Sequence, residues 1–191
     1  DGGHRKFIMV QLPEATDEGG TAYKAGYRNI CEIGKERIRR AGAKIAAEAG
    51  EKAAGLDLGF RCLRLDTSNM TDVYYAPDAV TQDGLFAQVD NVKADRTPED
   101  LLFQTMLDLG ILLSEPIAVE EIAGKRVFNV ADGFLLACFD RDVTDEAVTA
   151  IAKRKPYYAV FRDASMADDS ALTNFDQLFA AYSPATVRRV L

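Results

Sequence analysis

Between Glu115 and Leu191 short apolar runs alternate with turns and helix starts, and no other feature constrains the fold as much. Ile117 to Ile122, Val127 to Val130 and Phe134 to Phe139 read as three short strands. Ala123-Gly124-Lys125 and Asp132-Gly133 between them read as turns, the second a hairpin signal. Thr144 then caps a helix of about ten residues. Tyr157 to Phe161 reads as a strand, Leu172 to Ala181 as a helix and Val187 to Leu191 as a last strand. The segment is thus β-hairpins followed by βαβαβ, an α/β unit. Phe134-Leu-Leu-Ala-Cys-Phe-Asp140 and Tyr157-Tyr-Ala-Val-Phe-Arg-Asp163 echo each other, each an apolar strand that ends in aspartate before a helix.

Upstream, Phe7 to Leu12 is apolar except for Gln11, the pattern of a strand buried on both faces of a parallel sheet. A helix is expected over Asn29 to Glu48, with Ile30, Ile33, Ile38, Ala41 and Ile45 forming one stripe. Phe60 to Leu65 alternates apolar and charged residues, as a strand with one exposed face does, and Asp66-Thr67-Ser68-Asn69 closes it as a turn. Residues 76–114 read as helical. Thr97-Pro98-Glu99-Asp100 is a helix start, with a capping hydroxyl, proline in the first turn and acids at the positive end of the dipole. Leu102, Met106, Leu109 and Leu113 give that helix its buried stripe.

Composition excludes several classes of function. With 48% apolar residues the 191-residue chain holds enough material for a core. No apolar run approaches the length of a membrane span. The net charge of −7 argues against free-standing DNA binding, which rests on cationic contacts to phosphate. Residues 1–54 carry +2 and residues 55–191 carry −9, which points to two units with different neighbours. Cys31, Cys62 and Cys138 are too scattered for a disulfide scaffold and suit a reducing cytoplasm. A single histidine, His4, rules out a His-cluster metal site and argues against Ser-His-Asp or Cys-His catalysis. The opening Asp1-Gly2-Gly3-His4, with no Met and an immediate apolar run, is what a C-terminal piece of a longer protein would show.

Three groups of residues invite a chemical reading. Gln11 and Glu14 end the first strand, where nucleotide-binding α/β folds place a side chain that holds ribose hydroxyls; a strand running into a proline loop looks the same. Asp140, Asp142, Asp163, Asp168 and Asp169 follow the C-terminal strands, where carboxylates can hold Mg²⁺ but also serve as turn and cap residues. The basic face Lys35 to Lys44 could meet a phosphate backbone, although Glu32 and Glu36 supply helical partners for it. There is no GxGxxG, P-loop, GxSxG or Asp-Pro-Pro-Tyr.

Certain strings carry a family likeness. They are Arg5-Lys-Phe-Ile-Met-Val-Gln-Leu-Pro-Glu14, Tyr23-Lys-Ala-Gly-Tyr27, Ile30-Cys-Glu-Ile-Gly-Lys-Glu-Arg-Ile-Arg-Arg-Ala-Gly42, Gly59-Phe-Arg61, Leu65-Asp-Thr-Ser-Asn69 and Asp95-Arg-Thr-Pro-Glu-Asp-Leu-Leu-Phe-Gln104. Met106-Leu-Asp-Leu-Gly110, Ala137-Cys-Phe-Asp140 and Val160-Phe-Arg-Asp-Ala-Ser165 extend it. In these the chain resembles the C-terminal part of the modification subunit of type III restriction–modification systems, adenine-N6 DNA methyltransferases that use S-adenosylmethionine. The resemblance implies an α/β fold: a remnant of a Rossmann-like methyltransferase sheet, then a helical bridge, then a small C-terminal α/β domain with a β-hairpin. It implies that residues 1–75 close the methyltransferase core, 76–114 bridge, and 115–191 form an acidic domain for assembly. It makes Gln11 and Glu14 the cofactor-binding candidates, with no catalytic residue in the chain, because Asp-Pro-Pro-Tyr and Phe-x-Gly-x-Gly are both missing. The chain alone is therefore expected to be inactive. The implied partners are a restriction subunit, a second modification subunit, and DNA held mostly through regions outside this chain. The alternatives are an assembly or docking module for subunit pairing, or a small-ligand or Mg²⁺ site on Asp140, Asp163 and Asp168.

Overall fold

The computed structural model describes residues 6–71, 91–163 and 169–191, with only the backbone of 169–172. The chain is mixed α/β and divides into two compact units, Asp1–Leu65 and Asp66–Leu191.

The second unit holds a five-stranded sheet in the order β1-β2-β3-β4-β5. The strands are β1 (Ile117–Ile122), β2 (Lys125–Val130), β3 (Leu135–Cys138), β4 (Tyr158–Phe161) and β5 (Val187–Val190). The β1–β2 and β2–β3 pairs are antiparallel, and β3, β4 and β5 run parallel. Ala123 and Gly124, both at positive φ, make the two-residue turn between the paired Ile122 and Lys125. The crossovers are helices α4 (Asp145–Lys153) and α5 (Asp169–Tyr182). Both step the same way along the sheet, so the common crossover hand places both helices on one face. On that face Val127, Leu136, Cys138, Ala159 and Phe161 pack with Val148 and Ile151 of α4 and Phe175 and Phe179 of α5. On the other face Phe128, Val130, Leu135, Ala137 and Val160 pack with Leu101, Leu102 and Met106 of α3 (Pro98–Asp108). Strands covered on both sides need unbroken apolar runs, which is what β3 and β4 have. The Phe134 and Tyr157 echoes are these two strands, side by side and parallel, with Leu135 opposite Tyr158.

The start of α3 is as the sequence predicts. Thr97 Oγ1 accepts from the Asp100 backbone N–H at 3.3 Å, and the Asp100 carboxylate accepts from the Thr97 N–H at 2.8 Å. That donation from Thr97, backbone first and hydroxyl second, holds the Asp100 carboxyl below the usual carboxylate range. A lowered folded pKa adds stability that is complete above the ordinary carboxylate pKa and lost as pH falls through the folded value. Asp100→Ala is therefore expected to cost about 0.5 kcal/mol at neutral pH, a value reduced by solvent screening of this exposed carboxylate, with the gap to the parent closing below about pH 4. Urea unfolding of both proteins at the two pH values checks this. Of the stretch 76–114 expected to be helical, 76–90 lie outside the described residues, and α3 is the helix among the rest.

The first unit is built differently. A short helix α1 (Thr21–Lys24) precedes α2 (Ile30–Ala49), and a 3-10 turn spans Gly50–Gly55. Helix α2 lies within a residue of its expected span, capped by Asn29, whose side chain accepts from the Glu32 N–H at 3.0 Å. Two expected strands do not form. Phe7–Leu12 forms no strand and pairs with none among the described residues, with Ile8 and Val10 more than nine-tenths exposed. Phe60–Leu65 is likewise outside any sheet, and Leu65 is 99% exposed. A strand needs a neighbour for its backbone groups, and the described residues of this unit offer none. The α2 stripe is also uncovered: Ile30, Ile33 and Ile45 are exposed, and no described residue of the unit is buried.

Candidate functional site

The Gln11–Glu14 segment meets the first turn of α2. Glu14 turns on itself through a bond from its N–H to the Leu12 carbonyl at 2.9 Å. Its own carbonyl accepts from the Ile30 N–H at 3.0 Å, and Ala15 bridges Asn29. The Cys31 thiol donates to the Gln11 carbonyl at 3.4 Å. Residues 16–28 return the chain to make this junction, held by Thr16, whose hydroxyl donates to the Tyr27 carbonyl at 2.6 Å. Arg28 lies over the Tyr23 ring at 3.9 Å, and its N–H donates to Glu32 at 2.6 Å.

An amide and a carboxylate therefore stand at the end of an apolar segment beside a helix N-terminus. That donor set suits a pair of vicinal hydroxyls: a carboxylate accepts two hydrogen bonds, and an amide gives or takes one. Both side chains are exposed, and the Gln11 amide touches only the Leu12 carbonyl, at 3.2 Å. Sequence reasoning names the two residues but not their closeness to Cys31 and α2, which comes from the returning loop.

The aspartates take other places. The Asp140 carboxylate accepts from the Arg126 backbone N–H at 2.7 Å, which ties the end of β3 to β2. Asp142 sits in a positive-φ turn, Asp163 is exposed after β4, and Asp168 lies outside the described residues. Among the described residues no group of three or more His, Cys, Asp or Glu is placed to hold a metal ion. Cys138 is no nucleophile at neutral pH, because burial pushes its thiol up to about 11. On α2 the basic face is partly paired, Arg40 with Glu36 at 2.7 Å and Lys44 with Glu48 at 3.8 Å. No helix among the described residues is long and apolar enough to cross a membrane.

The sequence reading missed a cleft of about 560 Å³ in the second unit, lined by the loop after α3 and by Phe134, Tyr157 and Tyr158. Its only signal in the sequence is the aromatic residue at the same point of the two echoing segments.

No family model matches the chain. Over 67 residues it is 45% identical to the StyLTI Mod subunit, a type III restriction-modification enzyme subunit of Salmonella typhimurium. This chain is similar in part to a type III Mod subunit. The match takes in 35% of the chain and only 10% of the relative's length.

Proposed function

We propose that the chain is part of the modification subunit of a type III restriction–modification system, an S-adenosylmethionine-dependent DNA adenine-N6 methyltransferase. The observation that carries this is the 45% identity to the Salmonella Mod subunit. In this reading residues 1–75 belong to the methyltransferase core, 76–114 bridge, and 115–191 serve assembly. The partners it implies are a restriction subunit, a second modification subunit and DNA.

The form of the first unit supports the reading. The apolar side chains of Phe7–Leu12 are exposed and the segment pairs with no strand among the described residues, and α2 carries an exposed apolar stripe. A strand and helix of this kind fit onto the edge of a parallel sheet, where the strand gains its ladder and the helix covers it. The Gln11 amide and the Glu14 carboxylate then face the crevice at the strand's carboxyl end, where they bond the cofactor's ribose hydroxyls and fix its orientation. S-adenosylmethionine supplies the methyl group. The chain's own residues supply neither the adenine pocket nor the loop for the methionine end, since neither motif occurs in it.

The test uses the Salmonella Mod subunit with residues 1–75 of this chain in place of its corresponding segment. Adding Gln11→Ala with Glu14→Ala is expected to raise KM for S-adenosylmethionine about tenfold, the loss of about 1.4 kcal/mol, with KM for DNA unchanged. An unchanged cofactor KM in the double variant removes these residues from the site.

A further inference from the structure

We propose that the aromatic cleft of the second unit receives an arginine side chain from a basic partner segment. The cleft is formed by Leu109–Leu112, Glu115, Ala131, Phe134, Tyr157 and Tyr158, all within one unit. Phe134 and Tyr157 stack with centroids 5.0 Å apart and planes 9° from parallel. Tyr158 stands nearly perpendicular to both, at 81° to Phe134 and 73° to Tyr157. Phe134 is 40% exposed and Tyr157 54%, so the stacked pair is open to solvent. The parallel register of β3 and β4 fixes this arrangement, because it sets the residues that open the two strands side by side.

Ring faces carry negative potential and attract cations, and a planar guanidinium can lie along a stack as an ammonium cannot. Among the described residues the lining contains no Arg or Lys. Elsewhere the chain places its own cations over rings: Arg28 on Tyr23, Arg39 on Phe60, Arg126 on Phe128 and Lys153 on Tyr182. At the cleft the cation has to come from outside. The surrounding charge favours it, since residues 66–191 hold 11 Lys and Arg against 21 Asp and Glu, a net of −10. The same charge repels a nucleotide, whose base would stack equally well but whose phosphate would not be tolerated. The proposal does not rest on the methyltransferase reading.

The probe is a capped Gly-Arg-Gly peptide titrated into the 191-residue chain and followed by NMR, with the citrulline peptide as a neutral isostere. Saturable shifts at Phe134, Tyr157 and Tyr158 are expected for the arginine peptide and not for citrulline. Tyr157→Ala is expected to weaken binding about fivefold, the loss of about 1 kcal/mol, while Tyr157→Phe keeps it. Equal binding of the citrulline peptide overturns the proposal. So does the absence of any shift, or shifts at the same rings produced by adenosine monophosphate and not by arginine.

Discussion

Phe179→Ala is expected to lower the stability of the second unit by about 3–5 kcal/mol. Phe179 is fully buried on α5 and forms, with Phe175 and Phe161, a ring cluster with centroids 5.0 to 6.3 Å apart. This cluster closes the second crossover, because Phe161 comes from β4 and the other two rings from α5. Removing the ring forfeits its transfer free energy and leaves a cavity under a helix held on that side mainly by such contacts. With a total stability of about 5–15 kcal/mol, the loss removes from about a fifth of the whole up to nearly all of it. Urea unfolding reads it as a fall in midpoint of more than about 1 M. Tyr182→Ala, three residues on but exposed, serves as the control and is expected to shift stability by less than about 0.5 kcal/mol. A Phe179→Ala protein as stable as the parent would mean that α5 does not carry the core described.

The second large effect is a contrast in hydrogen exchange. Amides of β2, β3 and β4 are expected to be protected by about 10⁴-fold or more, up to the global unfolding limit. Those of α2 are expected to be protected on the order of tenfold at most. The strands lie between two apolar layers, and their side chains are buried on both faces. Helix α2 has 20 residues and a sound N-cap, but no described residue of its unit is buried. Propensity, one cap and i,i+4 pairs such as Glu36–Arg40 leave a helix in water marginal, since most helix stability in proteins comes from packing. Strong protection of α2 in the isolated chain would show that its stripe is covered, and would remove the argument that it awaits a sheet.

The contrast also explains what was legible in the sequence. The strands and helices after Glu115 could be read because their apolar runs find partners within the chain, so local pattern and tertiary pairing agree. Thr97 and Thr144 marked helix starts because a cap is a local device, and both side chains make the expected bonds. Phe7–Leu12 and Phe60–Leu65 have strand patterns as good as β3, but pattern states a preference for a pleated surface and not that a neighbour is present. The apolar stripe of α2 was correctly located, whereas its burial depends on a second surface that the described residues do not contain. At the site, Gln11 and Glu14 were legible as candidates by residue type, and the junction with Cys31 was not. The aromatic cleft was illegible because Phe134 and Tyr157 meet only through the parallel register of β3 and β4.

The central claim is that this chain contains part of a methyltransferase core. The direct measurement is transfer of tritiated methyl groups from S-adenosylmethionine to DNA by the Salmonella Mod subunit carrying residues 1–75 of this chain. The predicted result is labelled DNA at a rate within about tenfold of the parent subunit, while the 191-residue chain alone, lacking both motifs, transfers none. A folded chimera that binds S-adenosylmethionine and DNA but leaves the DNA unlabelled would contradict the account.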